Sequence, residues 1–175
     1  MTEPVAMPIL GLTGPSLAYL SLRIWLGMRA LVTGLEKFAG TITVQEPMLD
    51  ATGQPDPSGA MLDIQRKVYG WDQYHALPDT LQAKLAAEPL MSEFLMKAFC
   101  VFLGPALVVA GLLLLLGVAG RCSLMLMGLI YVTLTVGLIL IGQDQGVSWL
   151  GIHLGLIALA LTLVDHDRFA ITRRL

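Results

Sequence analysis

Charge is what this sequence has least of. Only 14% of its 175 residues are Asp, Glu, Lys or Arg, where a soluble domain carries roughly 25%. That shortage argues against an ordinary water-soluble domain. The formal net charge is -2 and no basic cluster occurs, which excludes nucleic acid as a partner, since a phosphate backbone needs a cationic footprint. Cysteine is also scarce: Cys100 and Cys122 are the only two. The segment between them reads as one helix, which at ~1.5 Å per residue puts them about 33 Å apart, beyond disulfide reach. They are expected as small apolar packing residues and say nothing about redox compartment. The histidines form no metal-ligand spacing, and no second one lies in a span to complete a bis-histidine haem site. No metal site and no covalently bound cofactor is therefore expected. Nor is there a nucleotide-type glycine motif or a Ser/His/Asp constellation. The start, Met1-Thr2-Glu3-Pro4, lacks a positive n-region, and no small-residue cleavage site follows the first apolar run. That run is expected to stay in the protein.

What the chain does have is long apolar runs. Hydrophobic residues make up 55% of it. Ala98–Ala119 and Cys122–Gly142 are free of charge, and Val147–Val164 is interrupted only by His153. About 20 such residues cross a hydrocarbon core as helix. A fourth run, Ser16–Leu35, is as apolar but carries Arg23 and Arg29. The expectation is an all-α integral membrane protein in the lipid bilayer. It is a single domain over residues 1–175, a bundle of four helices spanning about 16–38, 92–119, 122–142 and 147–165. Gly104-Pro105 should disturb the second span, because proline removes one backbone hydrogen bond and crowds the preceding turn.

Four spans put both termini on one side. The short segments there carry Arg121, Arg168, Arg173 and Arg174, whereas the opposite turn carries Asp144 and no cation. The positive-inside rule places both termini in the cytoplasm. The loop at 39–91 is then extracytoplasmic. Its first half, around Gly53-Gln54-Pro55-Asp56-Pro57, reads as irregular. Short helices are expected over Gly59–Tyr69, with Met61, Leu62, Ile64 and Val68 as an apolar stripe, and over Asp79–Glu88. The second would have Asp79 and Gln82 as a capping box and Pro89 as a stop. Tyr69, Trp71 and Tyr74 read as an interfacial aromatic belt or as a lid over the bundle.

Ionisable residues at membrane depth are costly and so mark sites. Arg23 lies within snorkelling distance of the cytoplasmic end. Arg29 lies roughly 13 Å along the helix from Phe38. It is expected to face the bundle interior and find a carboxylate, a carbonyl or a ligand. His153, Tyr131, Lys97, Glu36 and Lys37 also fall in the outer half. Together they suggest a cavity lined by Arg29, Glu36, Lys97, Tyr131 and His153, with Lys37 at its outer mouth.

The run Leu22-Arg23-Ile24…Gly27…Gly34-Leu35-Glu36-Lys37-Phe38 resembles the first-span signature of the DoxX/DoxD family of small four-span proteins, on Arg23, Gly27, Gly34 and Lys37. Phe102-Leu103-Gly104-Pro105…Ala110-Gly111-Leu112…Leu116-Gly117…Arg121 is similar to that family's second span and tight turn. Where many members carry a glutamate in the second span, this chain reads Ala106-Leu107-Val108-Val109. The long first loop resembles the DoxD branch and the small subunit of thiosulfate:quinone oxidoreductase. The resemblance implies a bacterial or archaeal cell-membrane subunit that oxidises a small sulfur anion such as thiosulfate and passes electrons to quinone. On that reading Arg29 and His153 are the candidate catalytic residues. Arg29, Glu36, Lys37, Lys97, Tyr131 and His153 would bind quinone or substrate, and a second redox polypeptide would be the partner. The other readings are a non-catalytic anchor that docks such a partner through the external loop, and a small transporter. The small-residue faces also permit a homo-oligomer.

Overall fold

A computed structural model describes residues 13–49, 53–54, 56 and 58–171 of the chain. Met1–Pro4, Pro55, Pro57, Arg173 and Arg174, used above, lie outside the described residues. Five helices and one hairpin follow in order: α1 (Gly14–Glu36), β1 (Ala39–Pro47), β2 (Met61–Tyr69), α2 (Asp79–Ala86), α3 (Glu93–Leu116), α4 (Gly120–Leu140) and α5 (Asp144–Leu163). Among the described residues three helices are long and apolar enough to cross a membrane: α3, α4, and α5 continued to His166. The charged α1 is not one of them, yet it belongs to the same bundle. It packs against α3 and α5, α3 packs on α4, and α4 on α5, closing a ring of four.

Small residues let α1 and α3 approach until their backbones touch. A Cβ added at Gly111 would lie 2.6 Å from the Leu31 nitrogen and 2.8 Å from the Gly27 oxygen, and one at Gly34 would strike the Val108 nitrogen at 2.8 Å. Without a hydrophobic drive between helices in lipid, this close approach is how dispersion contact is gained. Gly27 thus meets Gly111 while Gly34 meets Gly104 and Val108, so the two helices run antiparallel. Tyr19, Leu26, Leu107, Leu114, Leu124 and Met127 fill the centre with almost no exposure. Ser123 on α4 donates to the Ala110 carbonyl of α3 at 2.8 Å, which satisfies a hydroxyl that burial would otherwise leave unpaired.

The expected helix over Gly59–Tyr69 is instead strand β2, antiparallel to β1 in the register Ala39↔Tyr69 to Pro47↔Met61. The run Thr41-Ile42-Thr43-Val44 explains the difference. β-branched side chains favour an extended backbone, and pairing to this distant run outweighs the weak helical stripe of Met61–Val68. A lone two-stranded hairpin is marginal in water, and several contacts hold this one at the base. Gly70 donates its N–H to the Phe38 carbonyl at 2.9 Å, and His75 donates to the Lys37 carbonyl at 2.8 Å. Lys67 pairs with Glu36 at 2.6 Å. The Phe38 ring packs on Trp71 at 4.9 Å and on Tyr74 at 4.8 Å.

A helix does form at Asp79–Ala86, but Pro78 is its N-cap and no side chain caps it. The capping-box reading of Asp79 and Gln82 therefore fails, and the helix ends before Glu88. Leu85 is its buried residue.

Tyr74 shows how the proline in α3 is accommodated. In a regular helix the Gly104 N–H would donate to the Cys100 carbonyl. Here the Tyr74 hydroxyl sits between them, donating to the Cys100 carbonyl and accepting from the Gly104 N–H at 3.1 Å. It also lies 3.4 Å from the Val101 carbonyl, the group whose helical donor Pro105 removes. The ring fits because Gly104 has no side chain; a Cβ there would lie 2.6 Å from the Tyr74 Cε2.

Candidate functional site

Four helices and one loop residue meet in the hairpin half of the bundle around a cavity of about 120 Å³. Helix α1 contributes Arg29 and Thr33 and its C-cap contributes Lys37, spaced four apart and so stacked on one stripe. Helix α4 contributes Tyr131, α5 contributes Trp149 and His153, and Leu103 and Leu107 of α3 form the apolar wall. Leu77, from the segment before α2, closes the hairpin side.

His153 is 9% exposed. Its Nδ1 lies 2.8 Å from the Trp149 carbonyl one turn earlier. A carbonyl only accepts, so Nδ1 carries the proton and Nε2 presents a lone pair. That Nε2 is buried with no hydrogen-bond partner. The Tyr131 ring, 4% exposed, packs edge-on against the imidazole at 5.8 Å and 90°. A buried polar atom left unpaired costs about 1–3 kcal/mol, and His153 lines the cavity.

The charges around the cavity are one-sided. Arg29 is exposed and forms its rim, and Lys37 is half-buried. Neither is in an ion pair with an acid among the described residues. The cavity thus combines two cations, a phenol and an imidazole lone pair with leucine walls. Such a site suits a small, oxygen-rich group that both accepts and donates hydrogen bonds.

The structure brings together Arg29, Lys37, Tyr131 and His153 but not the other two expected members. Glu36 turns to Lys67 of β2, and Lys97 pairs with Glu93 one turn back at 2.6 Å, both on exposed surface. Each has an opposite charge at hand outside the cavity, and that partner sets its direction. The two arginines of α1 also exchange their expected situations. Arg29 is the exposed one, while Arg23 is 6% exposed. Arg23 forks onto both Asp167 oxygens at 3.0 and 3.1 Å and donates to the Leu114 and Leu115 carbonyls at 2.9 Å each. It locks the end of α3 to the segment after α5. Arg23, Gly27 and Gly34 therefore build the bundle, whereas Lys37 reaches the cavity. Cys100 and Cys122 are free thiols.

Seven lining residues were missed by reading the chain alone, four of them leucines of α3, α4 and α5. Thr33 is recoverable, since it lies midway on the Arg29–Lys37 stripe. Trp149 lies four before His153 and was equally legible. Leu77 carried no signal, because only the folded loop brings it over the bundle. Comparison with protein-family models, curated proteins and solved structures gives no match.

Proposed function

We propose that this chain is a DoxX/DoxD-like, four-span subunit of a bacterial or archaeal cell membrane that serves quinone reduction in an oxidoreductase complex. A small sulfur anion such as thiosulfate is the electron donor, and a second redox polypeptide is the partner. The observation that carries the reading is the cavity lined by Arg29, Lys37, Tyr131 and His153, whose two cations are in no ion pair with an acid among the described residues. Its residues fit a quinone headgroup. Arg29, Lys37 and the Tyr131 phenol supply donors for the quinone oxygens, and an imidazole lone pair takes a hydrogen bond only from a hydroxyl of the reduced, quinol form. Bound quinone supplies a two-electron, two-proton acceptor. His153 is placed to hold one of those protons at Nε2, and its Nδ1 bond to Trp149 keeps the ring oriented.

Two features support four spans and their direction. Helix α1 touches α3 backbone to backbone through Gly27, Gly34 and Gly111, so it crosses wherever α3 crosses. Arg121 and Arg168 flank the bundle end away from the hairpin, and Asp144 flanks the hairpin end, which under the positive-inside rule puts both termini in the cytoplasm.

The test uses Trp149, which lines the cavity. In a Trp25→Phe/Trp71→Phe background, its fluorescence is titrated with a short-chain quinone in mild detergent. Saturable quenching that weakens about tenfold or more in Arg29→Ala and in His153→Ala is expected. Equal affinity in the variants, or no quenching, refutes the assignment.

A non-catalytic anchor is the second reading, favoured by the hairpin. Its Ile42 and Leu62, 41% and 50% exposed, share one face of the hairpin with Val44 and Ile64, an uncovered apolar surface of the kind a protein partner takes. Deleting residues 41–67 would then release the partner, while Arg29→Ala would leave it bound.

A further inference from the structure

A second cavity, a groove of about 580 Å³, runs beside the first between α2, α3 and the last three turns of α4. Its lining is almost wholly apolar: Leu81 and Leu85 roof it, Phe99 and Phe102 form one side, and Val136 and Gly137 the other. Gly137 keeps it open; the nearest atoms to a Cβ there are the Leu85 Cδ2 at 3.5 Å and the Met91 Cε at 3.9 Å. Leu77 and Leu134 line both the groove and the polar cavity. The two spaces are thus neighbours that share two lining side chains.

We infer that polar cavity and groove form one site for a prenylated ligand, with the oxygen-bearing ring among Arg29, Tyr131 and His153 and the isoprenoid tail in the groove. The inference rests on the quinone reading above and adds which quinones the site prefers. Size and chemistry both point to it. Small-molecule sites usually measure about 300–1,000 Å³. The polar cavity is below that range and takes a ring at most, whereas the groove is within it and has only the Ser92 and Thr133 side chains as polar lining. Two adjacent compartments of opposite character match a molecule with a polar head and an apolar tail. Leu77 and Leu134 then form the passage between them. Leu77 comes from the extracytoplasmic segment, so the docking of that segment on the bundle sets the width of the passage.

The experiment compares a tailless quinone with the same ring carrying two isoprene units, on the full chain in nanodiscs, for wild type and Gly137→Phe. Comparing variants ligand by ligand cancels the tail's own partitioning into lipid. Gly137→Phe is expected to weaken the prenylated quinone about tenfold, since each methylene displaced from an apolar site costs about 0.8 kcal/mol, and to leave the tailless one unchanged. Gly137→Ala, whose methyl meets only ordinary contacts, is the companion that retains the fold and should show a smaller loss for the prenylated ligand alone. Equal loss for both ligands, or no loss for either, overturns the shared site while the headgroup assignment stands. Failure of both ligands to bind wild type overturns the headgroup assignment and this inference with it.

Discussion

Replacing Arg23 with Ala tests most directly how this bundle is held together. The guanidinium and its partner carboxylate are 7% and 8% exposed. Arg23 donates to both Asp167 oxygens and to two carbonyls at the C-terminal end of α3, where few backbone donors remain. Truncation leaves Asp167 as a nearly buried, uncompensated carboxylate. Breaking a buried pair from one side costs about 3–5 kcal/mol, far more than the pair gains over an apolar replacement. Arg23→Ala should therefore lower unfolding free energy by about that amount. Arg23→Met/Asp167→Leu should recover most of the loss, because no charge is stranded. Arg29→Ala is the internal control. That side chain is exposed and in no ion pair among the described residues, so its effect on stability should stay within about 0.5 kcal/mol. The assay is reversible unfolding in mixed micelles, followed by helical circular dichroism. An Arg23→Ala protein within about 1 kcal/mol of wild type, or a double variant no better than the single one, refutes the argument.

Three further outcomes are expected. Tyr74→Phe removes the hydroxyl inserted at Gly104 and leaves the Gly104 N–H and the Cys100 carbonyl unpaired; a destabilisation of about 1–3 kcal/mol, with faster proteolysis of the 39–91 loop, checks this. Lys67, exposed on β2, has its ammonium held above the ordinary lysine range, first by its hydrogen bond to Glu36 and then by the Tyr69 hydroxyl. The raised value means that this tether is complete below the ordinary lysine range and is lost as pH rises through the shifted one. Amide exchange at the base of β1 and β2 should accelerate there and equally in about 1 M salt, where screening falls to about 3 Å. Ser58→Cys at the exposed hairpin turn should react with a membrane-impermeant maleimide on intact cells; labelling only after lysis would reverse the orientation.

Reading the chain located the helices well because an apolar run is a local property. Lengths near 20 residues without charge appear directly in Ala98–Ala119 and Cys122–Gly142, and α3 and α4 occupy them. The hairpin was not legible, since β1 and β2 are joined by register across the turn, and neither strand announces its partner. Charge placement was the least legible of all. Arg23 and Arg29 lie six residues apart with similar neighbours. Only the position of Asp167, 144 residues further on, decides that Arg23 is buried and Arg29 is exposed.

The sequence by itself determined a helical chain with runs apolar enough to cross a membrane and the clustering of Arg29, Lys37, Tyr131 and His153 toward one end of the bundle, because hydropathy and helical periodicity need no knowledge of the rest of the fold. Tertiary structure alone decided that Glu36 and Lys97 turn away to acid-base partners, that Leu77 closes the cavity, and that His153 Nε2 has no partner. Each depends on which distant group reaches a side chain first, and burial and pairing energies are settled only when the helices pack.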